Sequence, residues 1–415
     1  MERKLIIENI VSQHAEEAAS LWRQRVAAIK SPHFVLRQLA KHDDRLVAHI
    51  DGLRIAGDAG RKICEEQLAT EEPGAMFSAT VLALEAQQYP QRIETLLSLA
   101  ETTPAVQPGL ISAFGWIASQ FLQGTVNELL TSSSPFRRRV GIASCAINRT
   151  DPGYALGAAV NDADPVLRAR ALRAVGELGR HDLVPVLQRE FNTEDEACRF
   201  WSAWSAARLG DGAGVHELHK FAEHQKYQQR ALQMMLRCLP RTLAENFLGE
   251  LMERDVAQRL VVEGMGIIGD PSCIPVLLQL MANSEVARIA GESFTLITGV
   301  DLAYLDLEMD APQGFEAGPT ENSEDEDVSL DPDEDLPWPN PDLVEKWWST
   351  NKSQFKEGQR YLLGQPIDPS NAQRVLRVGR QRQRIAAALE WAIMHPNQPL
   401  FETRAPGFRQ QQLLK

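Results

Sequence analysis

The chain has 415 residues, 44% of them hydrophobic and 24% charged, with a formal net charge of −13. No stretch approaches the roughly 18 uninterrupted apolar residues of a transmembrane helix. The N-terminal apolar run ends at Glu8 and Asn9, too soon for a signal peptide, so the expected compartment is the cytoplasm. Cys64, Cys145, Cys198, Cys238 and Cys273 lie at least 35 residues apart. They offer no CxxC pair for a zinc ribbon or a thioredoxin-type site, and scattered thiols suit a reducing compartment.

Residues 1–42 predict an N-terminal helical cap. After Ser12, the positions Ala18, Leu21, Trp22, Arg25, Val26 and Ile29 form the stripe of an amphipathic helix. From residue 43 to 300 the dominant signal is a repeat of about 30 residues. Its clearest unit starts at Asp164-Pro165, a capping residue followed by proline at the first helical position. Leu167, Ala171, Ala174, Val175 and Leu178 then follow at helical spacing, and Gly179 supplies a left-handed terminator. Proline recurs at Pro73, Pro104, Pro135 and Pro165. Arginine recurs at Arg138, Arg168, Arg199, Arg230, Arg259 and Arg288, and glycine at Gly179, Gly210, Gly269 and Gly299. Three residue types sharing one period predict units of two short helices that bury their apolar faces only by stacking on one another.

The Asp164-Pro165-Val166-Leu167-Arg168 block, with its Ala, Ala-Val-Gly and Gly continuation to Gly179, resembles HEAT repeats, in the short form also seen in phycobilin lyases. The fold this implies is an all-α solenoid of HEAT-like helical repeats with a small C-terminal helical module. In such arrays the repeat arginine holds a carboxylate or carbonyl of the neighbouring turn. The six ladder arginines are therefore read as structural and not as an anion-binding surface. Phe200, Trp201 and Trp204 are read as core in the same way.

Residues 301–339 form an acidic, proline-rich linker. Between 301 and 345 there are sixteen Asp or Glu and no Lys or Arg. Residues 346–415 carry twelve Lys or Arg against four acids, so a strap of −16 precedes a tail of +8. Residues 340–415 read as a basic helical module. Helix starts are expected at Asn340-Pro341-Asp342 and Asp368-Pro369-Ser370, and the second of these is expected to run on as one helix to about residue 393. On that helix Arg374, Arg377, Arg380 and Arg384 fall opposite the stripe of Val375, Val378, Ile385, Leu389 and Ile393. Arg382 falls within the stripe and needs a carboxylate or carbonyl. The basic face is either solvated or grips the acidic strap.

Chemistry is sparse. His216 and His219, with His224 nearby, lack the further ligands of a metal site, so no metal and no cofactor is expected. Gly210–Gly214 reads as a turn between repeats and not a dinucleotide loop. His33, His42, His49 and His181 have no partner visible in the sequence. No catalytic residue is identified.

The blocks Tyr361–Pro366, Gly379–Glu390, Leu400–Glu402 and Arg404–Pro406 resemble a proteobacterial HEAT-repeat family whose genes often neighbour those of type VI secretion cargo. That resemblance implies no enzyme. It implies a protein-binding scaffold, most specifically an immunity or adaptor protein for a basic effector or toxin, with no role at a membrane. The acidic partner-binding candidates are Glu324, Asp325, Glu326, Asp327, Asp333, Glu334 and Asp335, and the basic ones are Arg377, Arg380 and Arg384. The alternatives are a HEAT-like DNA glycosylase and a bilin-lyase-like chaperone. A nucleic-acid partner is disfavoured, because residues 1–300 sum to −5.

Overall fold

A computed structural model describes residues 6–86, 90–253, 258–315 and 331–415. The fold is all-α, a solenoid of HEAT-like repeats, with twenty-two α-helices and two short two-stranded pairings among the described residues. The chain divides into two compact units. The first comprises the described parts of Met1–Lys30, Phe34–Leu209 and Pro396–Lys415, and the second Ser31–His33 and Gly210–His395.

The first unit opens with two long helices, Glu8–Ala28 and Leu36–Ala56, packed on each other. The expected boundary between cap and repeats at 42/43 falls inside the second of these. Beyond them, the first helices of successive repeats lie side by side: Pro73–Glu85, Gln107–Trp116, Pro135–Ile147, Pro165–Leu178 and Glu196–Arg208. In the second unit the same stacking joins Gln228–Cys238, Gln258–Ile268 and Ala287–Thr298. Shorter second helices, such as Val184–Arg189 and Ile274–Leu280, complete the pairs.

The repeat markers become local structure. Pro73, Pro135 and Pro165 occupy first helical positions, where a missing N–H costs nothing. Asp164 caps its helix by accepting from Leu167 N at 2.8 Å. Leu167, Ala171, Ala174, Val175 and Leu178 are all buried. Gly179, Gly210, Gly269 and Gly299 all take positive φ, between 73° and 87°.

Adjacent first helices meet through small residues, in the same way in both units. Ser205 Oγ donates to Leu172 O at 2.7 Å, and a Cβ on Gly176 would stand 2.5 Å from that hydroxyl. Ser293 Oγ donates to Val262 O at 2.9 Å, and a Cβ on Gly266 would stand 2.8 Å from it. A serine thus bridges to the neighbouring helix one turn before a glycine that lets the two backbones close.

The C-terminal residues depart from the single-module expectation. Residues 340–395 pack in the second unit and residues 396–415 in the first. The long helix expected from Asp368 is two helices, Pro369–Val378 and Gln381–Met394. Gly379 is extended between them, with φ −69° and ψ 163°, and breaks the stripe.

Candidate interaction site

The free ends of helices create the site. The last four carbonyls of an α-helix lack intrahelical partners and carry the negative end of the dipole. In the first unit, residues 396–415 run over such ends and arginines satisfy them. Arg409, on the helix Gly407–Leu413, donates to Gly115 O at 3.0 Å, Trp116 O at 2.9 Å and the Asn148 side chain at 2.9 Å. Arg149 donates to Leu400 O at 2.5 Å and also to Ala146 O, while Leu400 N donates to Glu177 O at 2.9 Å. The fully buried Arg208 holds Pro396 O and Gln398 O. Arg25 is buried against Asp43, with Nε 2.7 Å from Oδ1, and reaches Arg404 O and Ala405 O at 3.0 Å each. Gly407 N completes that junction by donating to Asp43 at 2.6 Å.

Two carboxylates balance these arginines. Burial alone would raise the pKa of Glu402, but Arg404 and Arg149 outweigh it and hold the group at about 2. Glu177 is likewise held well below the usual carboxylate range, with Arg170 and Arg173 overcoming burial.

In the second unit the strand pair Tyr361–Leu362 and Gln365–Pro366 crosses the ends of two first helices. Tyr361 N donates to Gly269 O, Leu363 N to Leu296 O and Gly364 N to Ile297 O, at 2.7–3.0 Å. Arg360 donates to Ile268 O at 3.0 Å and to Glu390 at 2.6 Å. The left-handed glycines sit at these crossings. A Cβ on Gly269 would lie 2.6 Å from Tyr361 O, and one on Gly299 would lie 2.7 Å from the Leu363 carbonyl carbon.

The ladder arginines divide into two groups. Arg138, Arg168 and Arg199 each donate to the carbonyl six residues earlier, in the turn before their own helix: Ser132 O at 2.8 Å, Asp162 O at 2.7 Å and Thr193 O at 3.1 Å. Arg138 also meets Asp162 and Arg168 meets Glu190. Arg230, the fourth in the series, is also partnered. Arg259 and Arg288 instead bind the returning limb of the acidic strap. Arg259 makes a two-pronged pair with Asp333, and Arg288 pairs with Asp331 at 2.6 Å. The Arg288 guanidinium also lies 5.1 Å from the Phe315 ring and 4.8 Å from the Trp338 ring. One arginine therefore holds both limbs of the strap, beside the pairing of Glu308–Met309 with Trp338–Pro339.

Of the acidic candidates, Glu324, Asp325, Glu326 and Asp327 lie outside the described residues. Asp333 is buried on Arg259, Asp335 meets His33 at 3.0 Å, and Glu334 is exposed. Of the basic candidates, Arg380 reaches Asp301 at 2.7 Å, at the start of the strap, and Arg377 is exposed. Arg384 is a correction to the expected basic face. It is fully buried and bound to Leu376 O at 2.7 Å and to Gln381, because the break at Gly379 turns it inward. Arg382 finds the carboxylate it needs, Glu292 at 2.7 Å, and also Pro332 O. Sequence reasoning missed Asp43, Arg149, Arg208, Glu177 and Arg409.

Among the outward-facing segments, residues 303–310, the turn before the first strand and the strand itself, combine apolar and acidic side chains. Tyr304 is 83% exposed, with Leu305 at 43% and Met309 at 42%, interleaved with exposed Asp306, Glu308 and Asp310. Elsewhere, Trp204 is buried, and Trp201 is half-buried with Arg173 4.5 Å from its ring centre. The His219 ring packs on Phe247 and His224 on Tyr227. Among the described residues no three His, Cys, Asp or Glu are grouped to hold a metal ion, and no helix is long and apolar enough to cross a membrane.

Stacked helix pairs, closed by left-handed glycines and carrying a recurrent arginine, define the class of fold: an all-α solenoid of HEAT-like repeats. A family model described as HEAT repeats matches residues 155–237, which include the Asp164–Gly179 unit. No curated protein matches the chain.

Proposed function

We propose that the protein is a non-catalytic scaffold that binds another protein, and that its partner is basic. HEAT repeats generally serve protein binding. The observation that carries the charge of the partner is the outward turn at 303–310. It offers a tyrosine, a leucine and a methionine for burial among three carboxylates, and no Lys or Arg occurs from 301 to 345. Apolar anchors rimmed by one sign of charge suit a partner of opposite charge, because complementary fields speed encounter and burial supplies affinity. The most specific form of the reading is an immunity or adaptor protein acting in the cytoplasm on a basic type VI secretion effector. Nuclease toxins are often basic because they bind phosphate, and an acidic surface masks them.

The test is a pull-down of the neighbouring gene's product by the full chain, with a growth-rescue assay. The complex should weaken about tenfold or more with added salt and with the triple charge reversal Asp306→Lys, Glu308→Lys and Asp310→Lys. Rescue without co-purification of spike components marks an immunity protein, and binding to both effector and spike without rescue marks an adaptor. Binding that ignores both salt and charge reversal, or no complex at low salt, would overturn the reading.

A further inference from the structure

The two long helices of the first unit carry a feature that the scaffold does not use. His14, on Glu8–Ala28, and His49, on Leu36–Ala56, face each other across the helix pair with their Nδ1 atoms 3.2 Å apart. Their rings meet edge to face, with centroids 5.2 Å apart, and both side chains are half-buried and reachable by solvent. The backbone makes room for this arrangement. Gly52 lies one turn beyond His49, in the interior of its helix, where glycine costs about 1 kcal/mol relative to alanine. A Cβ there would stand 2.6 Å from Cδ2 and Nε2 of His14. The glycine is thus the floor on which the His14 imidazole lies, with its Nδ1 aimed at His49.

The separation suits a shared ion. With metal–nitrogen bonds of about 2.0–2.1 Å, two imidazole nitrogens on one ion stand about 2.9 Å apart at a right angle and about 3.3 Å apart at the tetrahedral angle. We propose that His14 and His49 form a two-imidazole chelating site for a divalent transition metal of the copper, nickel or zinc type, with water completing the coordination. Imidazole pairs favour these ions, with copper(II) the tightest. No third His, Cys, Asp or Glu among the described residues joins them, so the site stays open to solvent or to a further donor. Without metal, one Nδ1–H donates to the other Nδ1. With metal, that proton is carried on Nε2 of the same ring, so both Nδ1 lone pairs meet the ion and no net proton is released.

The experiment uses the full chain stripped with chelator at pH 8 and titrated with copper(II), followed by calorimetry and electron paramagnetic resonance. The expected result is one ion per chain with two imidazole nitrogens in its spectrum. His14→Gln and His49→Gln should each weaken binding at least about tenfold and leave one nitrogen at most. Gly52→Ala keeps both ligands but displaces the His14 ring, and should weaken binding as well. Circular dichroism should show unchanged helicity in all three. Absence of a stoichiometric site, a single-nitrogen spectrum in the unaltered chain, or an isotherm unchanged by the histidine substitutions would overturn the assignment.

Discussion

Asp43→Ala strikes the junction where the C-terminal residues close the first unit. The Asp43 side chain is completely buried and accepts from Arg25 Nε at 2.7 Å, Arg25 Nη2 at 3.3 Å and Gly407 N at 2.6 Å. Removing it strands a buried guanidinium, at a cost of about 3–5 kcal/mol. It also orphans a buried N–H, at about 1–3 kcal/mol. The two carbonyl bonds from Arg25 to Arg404 and Ala405 survive and temper the loss, so about 4–6 kcal/mol is expected. For a unit of this size each kcal/mol moves the midpoint by about 2–4 °C, so the first-unit transition should fall by roughly 10–20 °C. Differential scanning calorimetry reads the shift, and limited proteolysis with mass spectrometry reads release of residues 396–415. The double variant Arg25→Met with Asp43→Leu removes both charges and should recover only the part of the loss owed to the stranded guanidinium, because Gly407 N stays without its acceptor and Arg404 O and Ala405 O lose a donor. A single variant that melts within about 2 °C of the parent, with residues 396–415 equally protected, would refute the view that this buried pair fastens them.

Three further outcomes rest on buried carboxylates and on the repeat glycines. Burial raises the pKa values of Glu263 and Glu292 despite Arg259 and Arg382 nearby, so the folded chain holds their protons more tightly than the unfolded chain. Their contribution to stability should rise as pH falls through the raised values towards the unfolded value near 4.5, and Glu263→Gln should flatten that rise in urea midpoints; an unaltered slope would count against it. Glu402 behaves oppositely: its contribution is complete above the unfolded value and is lost as pH drops towards about 2. Gly179→Ala and Gly210→Ala share positive φ, but only Gly179 is crowded, with Gln398 O 2.9 Å from the site of a Cβ, whereas Gly210 faces open space. Gly210→Ala should cost about 1–2 kcal/mol and Gly179→Ala measurably more, and equal denaturation midpoints would contradict the crossing.

The repeats were legible because their signals are local. Pro165 after Asp164 sets a helix start through its own ring and a cap three residues long, and Gly179 ends the helix through its own backbone freedom. The bonds of Arg138, Arg168 and Arg199 to carbonyls six residues earlier recur because the turn recurs. The C-terminal crossings left no such trace. Arg208 and Arg409 bind backbone carbonyls, which every residue possesses, so no covarying side chain or spacing announces them. Gly379 was visible as a glycine, but an apolar stripe that continues in phase across it hid the break and with it the burial of Arg384. Asp331 and Asp333 looked like two more charges in an acidic run. Only their juxtaposition with arginines 29 residues apart separates them from their solvated neighbours.

The first unit draws its last pieces from residues made long after its helices. Residue 396 follows residue 209 by roughly 190 positions, and synthesis at about 5–20 residues per second makes that a wait of about 10–40 s. Throughout that interval Asp43, Arg149 and Arg208 stand without the groups that later cover them. A newborn chain therefore carries an unfinished half on which a chaperone, or its own later segments, can act before the stretch from Pro396 onward arrives.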